Sequence, residues 1–101
     1  MDYVAERKLL VARKGSDSRN ELIIKVSRPY VVPAGSVDFP VDEETSGCDI
    51  EIIGLEKPFQ QTAYGGDLLQ ALQLAADIDP VLRRFTKSYD IYFSTGEPYF
   101  E

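Results

Sequence analysis

The sequence predicts an α+β domain in which an antiparallel β-meander of about four strands is followed by one helix and a final strand (β-β-β-β-α-β). Two observations predict this fold. Segments that alternate apolar and polar residues come first and are separated by turn-forming residues. One stretch with helical apolar spacing follows, and a last alternating segment comes after it. Strands grouped before a helix are typical of α+β folds, with the helix on one face of the sheet.

The first two strands form a predicted hairpin. Ala5–Arg13 is strand-like, and the polar segment 14–20 is typical of a hairpin loop. The second strand, Glu21–Arg28, alternates cleanly, so its apolar residues lie on one face. Pro29 ends this strand because proline has no N–H for the ladder.

A long loop is predicted after the second strand. Residues 31–47 contain two prolines, two glycines and four acidic side chains. A loop of this length without secondary structure is uncommon in a compact domain and is often functional. Phe39 and Val41 either hold the loop against the edge of the core or belong to a short edge strand that Pro40 interrupts.

Two more strands lead to the helix. Cys48–Leu55 alternates again, and Phe59–Tyr64 is a shorter strand that ends at a pair of glycines. These glycines are interpreted as a structural turn, with an anion site as the alternative. Asp67 is a good N-cap residue for the helix, and Gln70 is placed to complete a capping box.

The helix carries an apolar stripe, which predicts that this face is buried on the sheet. The stripe consists of Leu68, Ala71, Leu72, Ala75, Ile78, Leu82 and Phe85. Pro80 either kinks the helix or begins a second one capped by Asp79, and the sequence favours a break near residues 77–79. The last strand alternates around Tyr89 and Ile91.

The composition limits the chemistry of the chain. Its 101 residues suffice for a single domain (1–101) with one core, and they include no histidine and one cysteine. Without histidine, Ser-His-Asp and Cys-His catalysis and His-ligated zinc are excluded. One cysteine excludes an internal disulfide. We therefore expect no catalytic residue, no cofactor and no metal ion, although a minor enzymatic activity stays open as an alternative.

The charge distribution also limits the partners. The formal net charge is −6, and residues 31–80 alone hold ten acidic side chains and one basic one. Such a balance opposes attraction to nucleic acid and to anionic membranes. No segment fits a signal peptide or a transmembrane helix. We therefore expect a cytoplasmic protein whose partners include neither nucleic acid nor a membrane.

Residues 64–75, Tyr-Gly-Gly-Asp-Leu-Leu-Gln-Ala-Leu-Gln-Leu-Ala, resemble a segment of a family of small bacterial proteins catalogued as a domain of unknown function. The family joins an early Glu-Arg strand, here Glu6-Arg7, to a Tyr-Gly-x-Asp-x-x-Gln-Ala-Leu-x-Leu-Ala segment. The resemblance extends over most of the chain, but Pro80 departs from the family pattern, in which the helix continues unbroken. The resemblance implies no activity and no catalytic residue.

Two groups of side chains are candidates for binding a partner. The long loop contributes Asp38, Asp42, Glu43 and Glu44, which together form a possible acidic docking surface. Near the C-terminus, Tyr92, Tyr99 and Phe100 are candidates because exposed aromatic side chains are enriched at protein interfaces.

Two other features are interpreted as structural. Asp49 and Glu51 share one face of their strand and are expected to be exposed, paired with Lys25 or Arg7 across strands. Cys48 shares the opposite face with apolar residues, which predicts a buried, unreactive thiol.

These observations lead to two functional hypotheses. The first is a protein-binding module without enzymatic activity, either homodimeric or an acidic, immunity-type neutraliser of a basic partner. The alternative is a small-ligand-binding protein or minor enzyme that uses carboxylates and tyrosines in a pocket between helix and sheet.

Overall fold

A computed structural model, which describes residues 2–100, confirms the α+β fold. One layer is an antiparallel sheet and the other is helical. The elements in chain order are β1 (Tyr3–Arg13), β2 (Asn20–Ser27), β3 (Tyr30–Val31), β4 (Ser46–Ile53), β5 (Phe59–Gly65), α1 (Leu68–Ala76), α2 (Asp79–Arg83) and β6 (Tyr89–Phe93).

The predicted meander is present, and β6 closes the sheet on its far side. The pairs β1–β2, β2–β4 and β4–β5 are all antiparallel. The short β3 continues from β2 and pairs with the first two residues of β4. The last strand, β6, pairs with β1. Across the sheet the order is therefore β5, β4, β2, β1, β6, and β3 lies beside β4 on the same side as β2. The two helices therefore connect opposite edges of the sheet.

The core lies between the helices and one face of the sheet. Alternation along each strand sends one set of apolar side chains to this face. The strand residues buried there are Leu9, Val11, Leu22, Ile24, Val26, Cys48, Ile50, Ile52 and Ile91. Burial of their apolar surface is the main force that holds the helices on the sheet. The opposite face, which we call the open face, is not covered by a helix among residues 2–100.

The start of α1 is fixed by the predicted cap. The Asp67 carboxylate accepts a hydrogen bond from the Gln70 N–H at 2.7 Å. Gln70 reaches back as expected, but its side-chain oxygen accepts from the Gly66 N–H at 2.5 Å instead of from the N-cap residue. Gly65 is required because a Cβ there would lie 2.6 Å from the Ala71 backbone nitrogen. This pair of glycines is thus a packing turn, as interpreted from the sequence.

The helical layer divides at residues 77–78 into two helices, as the predicted break requires, and Pro80 lies in the first turn of α2. Ala71, Ala75, Ile78 and Leu82 are buried, as the stripe predicts. The prediction for Leu68 is wrong: it lies in the first turn of α1 and is 44% exposed. The predicted capping role of Asp79 is also wrong, because Ile78 is the N-cap of α2 and Asp79 is its first residue.

The predicted long loop runs over residues 32–45, since its two ends are taken up by β3 and β4. Residues 39–41 are not in a strand, so the edge-strand alternative is wrong, and Phe39 is 42% exposed, so it does not pack on the core either. The Phe39 ring meets the Tyr64 ring edge to face, with centroids 5.1 Å apart. This contact places the loop beside the end of β5.

Candidate functional site

The two edges of the sheet differ in how their backbone groups are satisfied. On β6, the Tyr89 N–H donates to the Phe85 carbonyl, and the Phe93 N–H donates to the Glu97 carbonyl. The Ile91 carbonyl accepts from the Tyr99 N–H. The C-terminal tail thus folds back along β6 and covers that edge, which protects it from pairing with another chain.

The outer edge of β5 lacks such cover. No backbone hydrogen bond within residues 2–100 joins β5 to any element other than β4. The side-chain hydrogen bonds within residues 2–100 do not reach the β5 backbone either. Every residue of β5 is at least partly exposed. A row of unpaired N–H and C=O groups on such a strand is a template for adding another strand.

The orientation of β4 shows which β5 residues present these groups. The Asp49 N–H points toward β2, because it donates to the Ser27 hydroxyl at 2.8 Å. The Thr45 carbonyl points to the same side, where it accepts from the Val32 N–H. Backbone groups alternate direction along a strand, so the even-numbered residues of β4 point toward β5.

The register of β4 and β5 completes this assignment. Even-numbered residues of β4 pair with odd-numbered residues of β5, for example Ile50 with Gln61. These odd residues therefore bond to β4, and Gln60, Thr62 and Tyr64 direct their N–H and C=O groups outward. Their side chains lie on the open face, where the Thr62 hydroxyl donates to Asp49 at 2.6 Å. We call the outward backbone of these three residues the β5 edge.

The sequence of β5 does not discourage pairing. Phe-Gln-Gln-Thr-Ala-Tyr-Gly contains no charged residue and no proline. Exposed edges in monomeric proteins usually carry a lysine, a proline or a bulge that prevents pairing. A seven-residue edge strand without these features is therefore a candidate interaction site.

The two ends of the β5 edge carry opposite charge. Near Phe59, Lys57 precedes the strand and the Arg84 guanidinium lies over the Phe59 ring, 5.3 Å from its centroid. Arg84 also donates to the Gln61 side chain at 2.6 Å. At the other end, Asp67 follows the strand, and the acidic loop is held against Tyr64.

The loop acids have different environments. Asp38, Glu43 and Glu44 are exposed. The Asp42 carboxylate is part of the loop structure, since its Oδ1 accepts from the backbone N–H groups of Glu44 and Thr45, both at 2.9 Å. These hydrogen bonds, with one from the Thr45 hydroxyl, hold the pKa of Asp42 below its usual value.

This lowered pKa predicts a pH dependence. Because the folded-state pKa of Asp42 lies below its unfolded value, the ionised carboxylate stabilises the fold above the unfolded pKa. That contribution is lost as the pH falls through the folded value. We expect Asp42→Asn to be less stable than the wild type at pH 7, with a difference that shrinks below about pH 4. Urea unfolding of both proteins over a pH series measures this difference in stability.

The control for this series is Glu43→Gln, which removes a neighbouring exposed charge. At pH 7 it should cost less stability than Asp42→Asn, since no hydrogen bond within residues 2–100 joins the Glu43 side chain to the loop backbone. A difference between Asp42→Asn and the wild type that stays constant from pH 7 to pH 3 would contradict the assigned role of Asp42.

The C-terminal aromatic candidates are engaged in contacts within the chain. The Arg19 guanidinium lies 3.7 Å from the centroid of the Tyr92 ring, and that of Arg83 lies 4.3 Å from the Phe100 centroid. The Tyr99 ring packs against Phe93 and Phe100, both with centroids 4.9 Å apart. All three candidate side chains are partly buried.

The Tyr99 hydroxyl joins the tail to both layers. It accepts from Arg7 on β1 at 2.9 Å and donates to Asp79 on α2 at 2.6 Å. Burial, together with the hydrogen bond to Asp79, raises the pKa of Tyr99. These contacts give the tail a structural role in covering β6.

The two predicted groups do not form one site. The acidic loop lies beside β5, and the aromatic residues lie along β6. These strands are the opposite edges of the sheet, four strand spacings or about 19 Å apart. Tyr92 and Phe100 line a cleft of about 370 Å³ at the β6 edge.

Asp49 and Glu51 are partly buried, not exposed as predicted. Glu51 lies opposite Lys25, but no ion pair joins them within residues 2–100, and Arg7 bonds to Tyr99 instead. Asp49 accepts hydrogen bonds from Tyr30 at 2.9 Å and from Thr62, so its role is structural although its predicted partners are wrong. Cys48 is buried, and its burial raises the pKa of the thiol, which disfavours the nucleophilic thiolate.

A groove between α1 and the sheet corresponds to the pocket of the ligand-binding alternative. Its volume is about 170 Å³, less than the ~300–1,000 Å³ typical of small-molecule sites. It is lined by Ala5, Glu6, Arg7, Ile24, Val26, Leu72, Ala76 and Ile78. Arg7 is the one basic residue of this lining, and it already donates to Tyr99.

Comparison with protein-family models, with curated protein sequences and with solved structures finds no match. The resemblance to the small bacterial family therefore stays a prediction. Within residues 2–100 there is no group of three or more Cys, Asp or Glu side chains placed to hold a metal ion. The helices in that range are too short to span a membrane.

The sequence interpretation did not identify the β5 edge as a site. It contained one usable signal, the absence of charge and proline from Phe59–Gly65. That signal has meaning only for an edge strand, because central strands are commonly uncharged. The position of β5 in the sheet was therefore required.

Proposed function

We propose that this chain is a cytoplasmic protein-binding module that binds its partner by adding a strand at the β5 edge and has no enzymatic activity. The free N–H and C=O groups of Gln60, Thr62 and Tyr64 support this proposal. In strand addition, backbone hydrogen bonds supply affinity, and alternate side chains supply specificity. The contrast with β6, whose edge is covered by the tail, marks β5 as the edge left for a partner.

The groove between α1 and the sheet, where the small-ligand alternative places its pocket, gives that alternative less support than the β5 edge gives protein binding. The groove beside α1 is small for a ligand, and its arginine already has a partner. The strand β5, which carries this edge, extends over seven residues, or about 23 Å at 3.3 Å per residue. An extended surface of this kind fits a polypeptide.

The test compares two lysine substitutions on the open face in partner capture from the source organism's lysate. Thr62→Lys places a charge on the β5 edge, at a side chain that is partly exposed on the open face. Ile53→Lys is the matched control on β4, away from the edge and 41% exposed. We expect the wild type and Ile53→Lys to retain the same protein, identified by mass spectrometry, and Thr62→Lys to lose at least about 90% of it.

Equal retention by Thr62→Lys and Ile53→Lys would show that the β5 edge is not the binding site. Thermal unfolding of both variants in the same buffer confirms that each is folded. Captured copies of the chain itself count as a partner in this comparison.

The acidic loop favours one class of heterologous partner. Asp38, Glu43 and Glu44 are exposed beside the Tyr64 end of β5, which would suit a basic protein neutralised by an immunity-type module. In the same capture, changing these three residues to Ser, with Asp42 kept for the loop, should weaken retention of such a partner. Full retention by the triple variant, or binding that does not weaken with added salt, would contradict this second candidate.

A further inference from the structure

The β5 edge fits a second copy of this chain. Resting on the strand-addition function proposed above, we infer that two β5 strands pair antiparallel about a two-fold axis at Thr62, so that the sheets of two copies become continuous. Each copy would contribute the same surface, which is the arrangement of most symmetric dimers.

The register follows from side-chain direction and overlap. A two-fold axis perpendicular to the sheet pairs residues that share a face, so an even-numbered residue opposes an even-numbered one. Full overlap of the seven residues places Thr62 opposite Thr62 of the second copy and Gln60 opposite Tyr64 of that copy. These are the residues whose backbone groups point outward, so the pairing forms six backbone hydrogen bonds.

The charge at the ends of the edge selects antiparallel pairing with an identical strand. In this register the Phe59 end of one copy, which Lys57 precedes, meets the Gly65 end of the other, which Asp67 follows, and this meeting occurs twice. Arg84 at the Phe59 end likewise comes near the loop acids at the Tyr64 end of the other copy. A wholly basic segment would match only one end of the edge, whereas an antiparallel second copy matches both.

An apolar side chain on α1 favours the same arrangement. Ala71 and Ala75 face the sheet, and Leu72 and Ala76 face the groove on the β1 side. At 100° per residue, Leu74 lies on the opposite flank of α1, toward the β5 edge. It is 50% exposed. Pairing of the edges would bring this flank of α1 toward its equivalent in the second copy, since the axis keeps both helices on one face.

The register is tested by cross-linking of single-cysteine additions to the full chain. Thr62→Cys should be joined into a dimer by a short bifunctional maleimide, because paired Cα atoms lie about 5.5 Å apart. Gln60→Cys and Tyr64→Cys should not, since each thiol would lie four residues, about 14 Å, from its equivalent. The wild type, whose native Cys48 is buried, is the control for background cross-linking.

Self-association is measured by sedimentation equilibrium over a range of concentrations. We expect Thr62→Lys to raise the dimer dissociation constant at least about tenfold, because two ammonium groups would face each other across the axis. Ile53→Lys should leave it within about twofold of the wild type. Far-ultraviolet circular dichroism and thermal unfolding verify the fold of each variant.

The outcomes separate this inference from the proposed function. Preferential cross-linking of Gln60→Cys or Tyr64→Cys would overturn the Thr62 register. A monomer at every concentration, together with edge-dependent capture of a different protein, would overturn self-pairing and leave the protein-binding function standing. A monomer that captures nothing through the edge would overturn both.

Discussion

Gly54→Ala is expected to lower the free energy of unfolding by about 3 kcal/mol or more. Gly54 follows β4 and has a φ of +116°, a conformation that side chains disfavour. A Cβ there would lie 2.2 Å from the Glu21 carbonyl oxygen on β2. Because that oxygen belongs to the backbone of a paired strand, it cannot rotate away, and β2 or β4 must shift.

A second glycine separates the two contributions to this loss. Gly35 in the long loop also has a positive φ, +82°, but a Cβ there would meet nothing within 4 Å. Gly35→Ala should therefore cost only the conformational term, about 1–2 kcal/mol. Urea unfolding of both variants and the wild type measures the difference. Equal losses of stability would show that contact with the Glu21 carbonyl does not contribute to the cost of Gly54→Ala.

Leu82→Ala is expected to lower the free energy of unfolding by about 2–5 kcal/mol. Leu82 is fully buried, although α2 has only five residues. So short a helix is not stable by itself, so its packing on the sheet must hold it in place. Truncation removes apolar contacts and leaves a cavity at the connection that leads the chain to β6.

The matched control is the same substitution at an exposed helical position. Leu69 on α1 is 64% exposed, so Leu69→Ala should change the free energy of unfolding by less than about 0.5 kcal/mol. Chemical denaturation of both variants at one pH gives the comparison. If Leu82→Ala costs no more than Leu69→Ala, the placement of α2 on the core is wrong.

The elements that depend on local pattern could be predicted from the sequence. The alternation of Leu22, Ile24 and Val26 marks a strand with one buried face, and these residues are buried. Asp67 caps α1 as predicted, because capping needs only neighbours three or four residues apart, although Gln70 reaches back to the Gly66 N–H and not to the N-cap residue.

Predictions that depended on the extent of the helix–sheet contact were less accurate. Helical spacing correctly identifies Ala71 and Ala75 as the centre of the buried face. It does not show where the sheet ends, and Leu68, which belongs to the predicted stripe, is 44% exposed. Periodicity gives the direction of a side chain, whereas burial also requires an opposing surface.

The placement of the candidate partner-binding residues also depended on long-range packing. The sequence shows that the acidic loop and the C-terminal aromatic residues have suitable chemistry. It does not show that Tyr99 bonds to Arg7 and Asp79, residues far from it in the chain, or that the two groups lie at opposite edges.

The sequence by itself therefore determined the α+β class, the order of the five longer strands and the helical region, the strand faces and the start of α1, because each depends on interactions between near neighbours in the chain. It did not show the short β3. Only the tertiary structure showed that β6 pairs with β1, that the tail covers the β6 edge and that the β5 edge has no backbone partner in the part of the chain that the structure describes. Strand pairing joins residues that are distant in sequence, and its outcome depends on the path of the helices across the sheet. For that reason an uncharged strand such as β5 can be recognised as a candidate binding edge only once its neighbours are known.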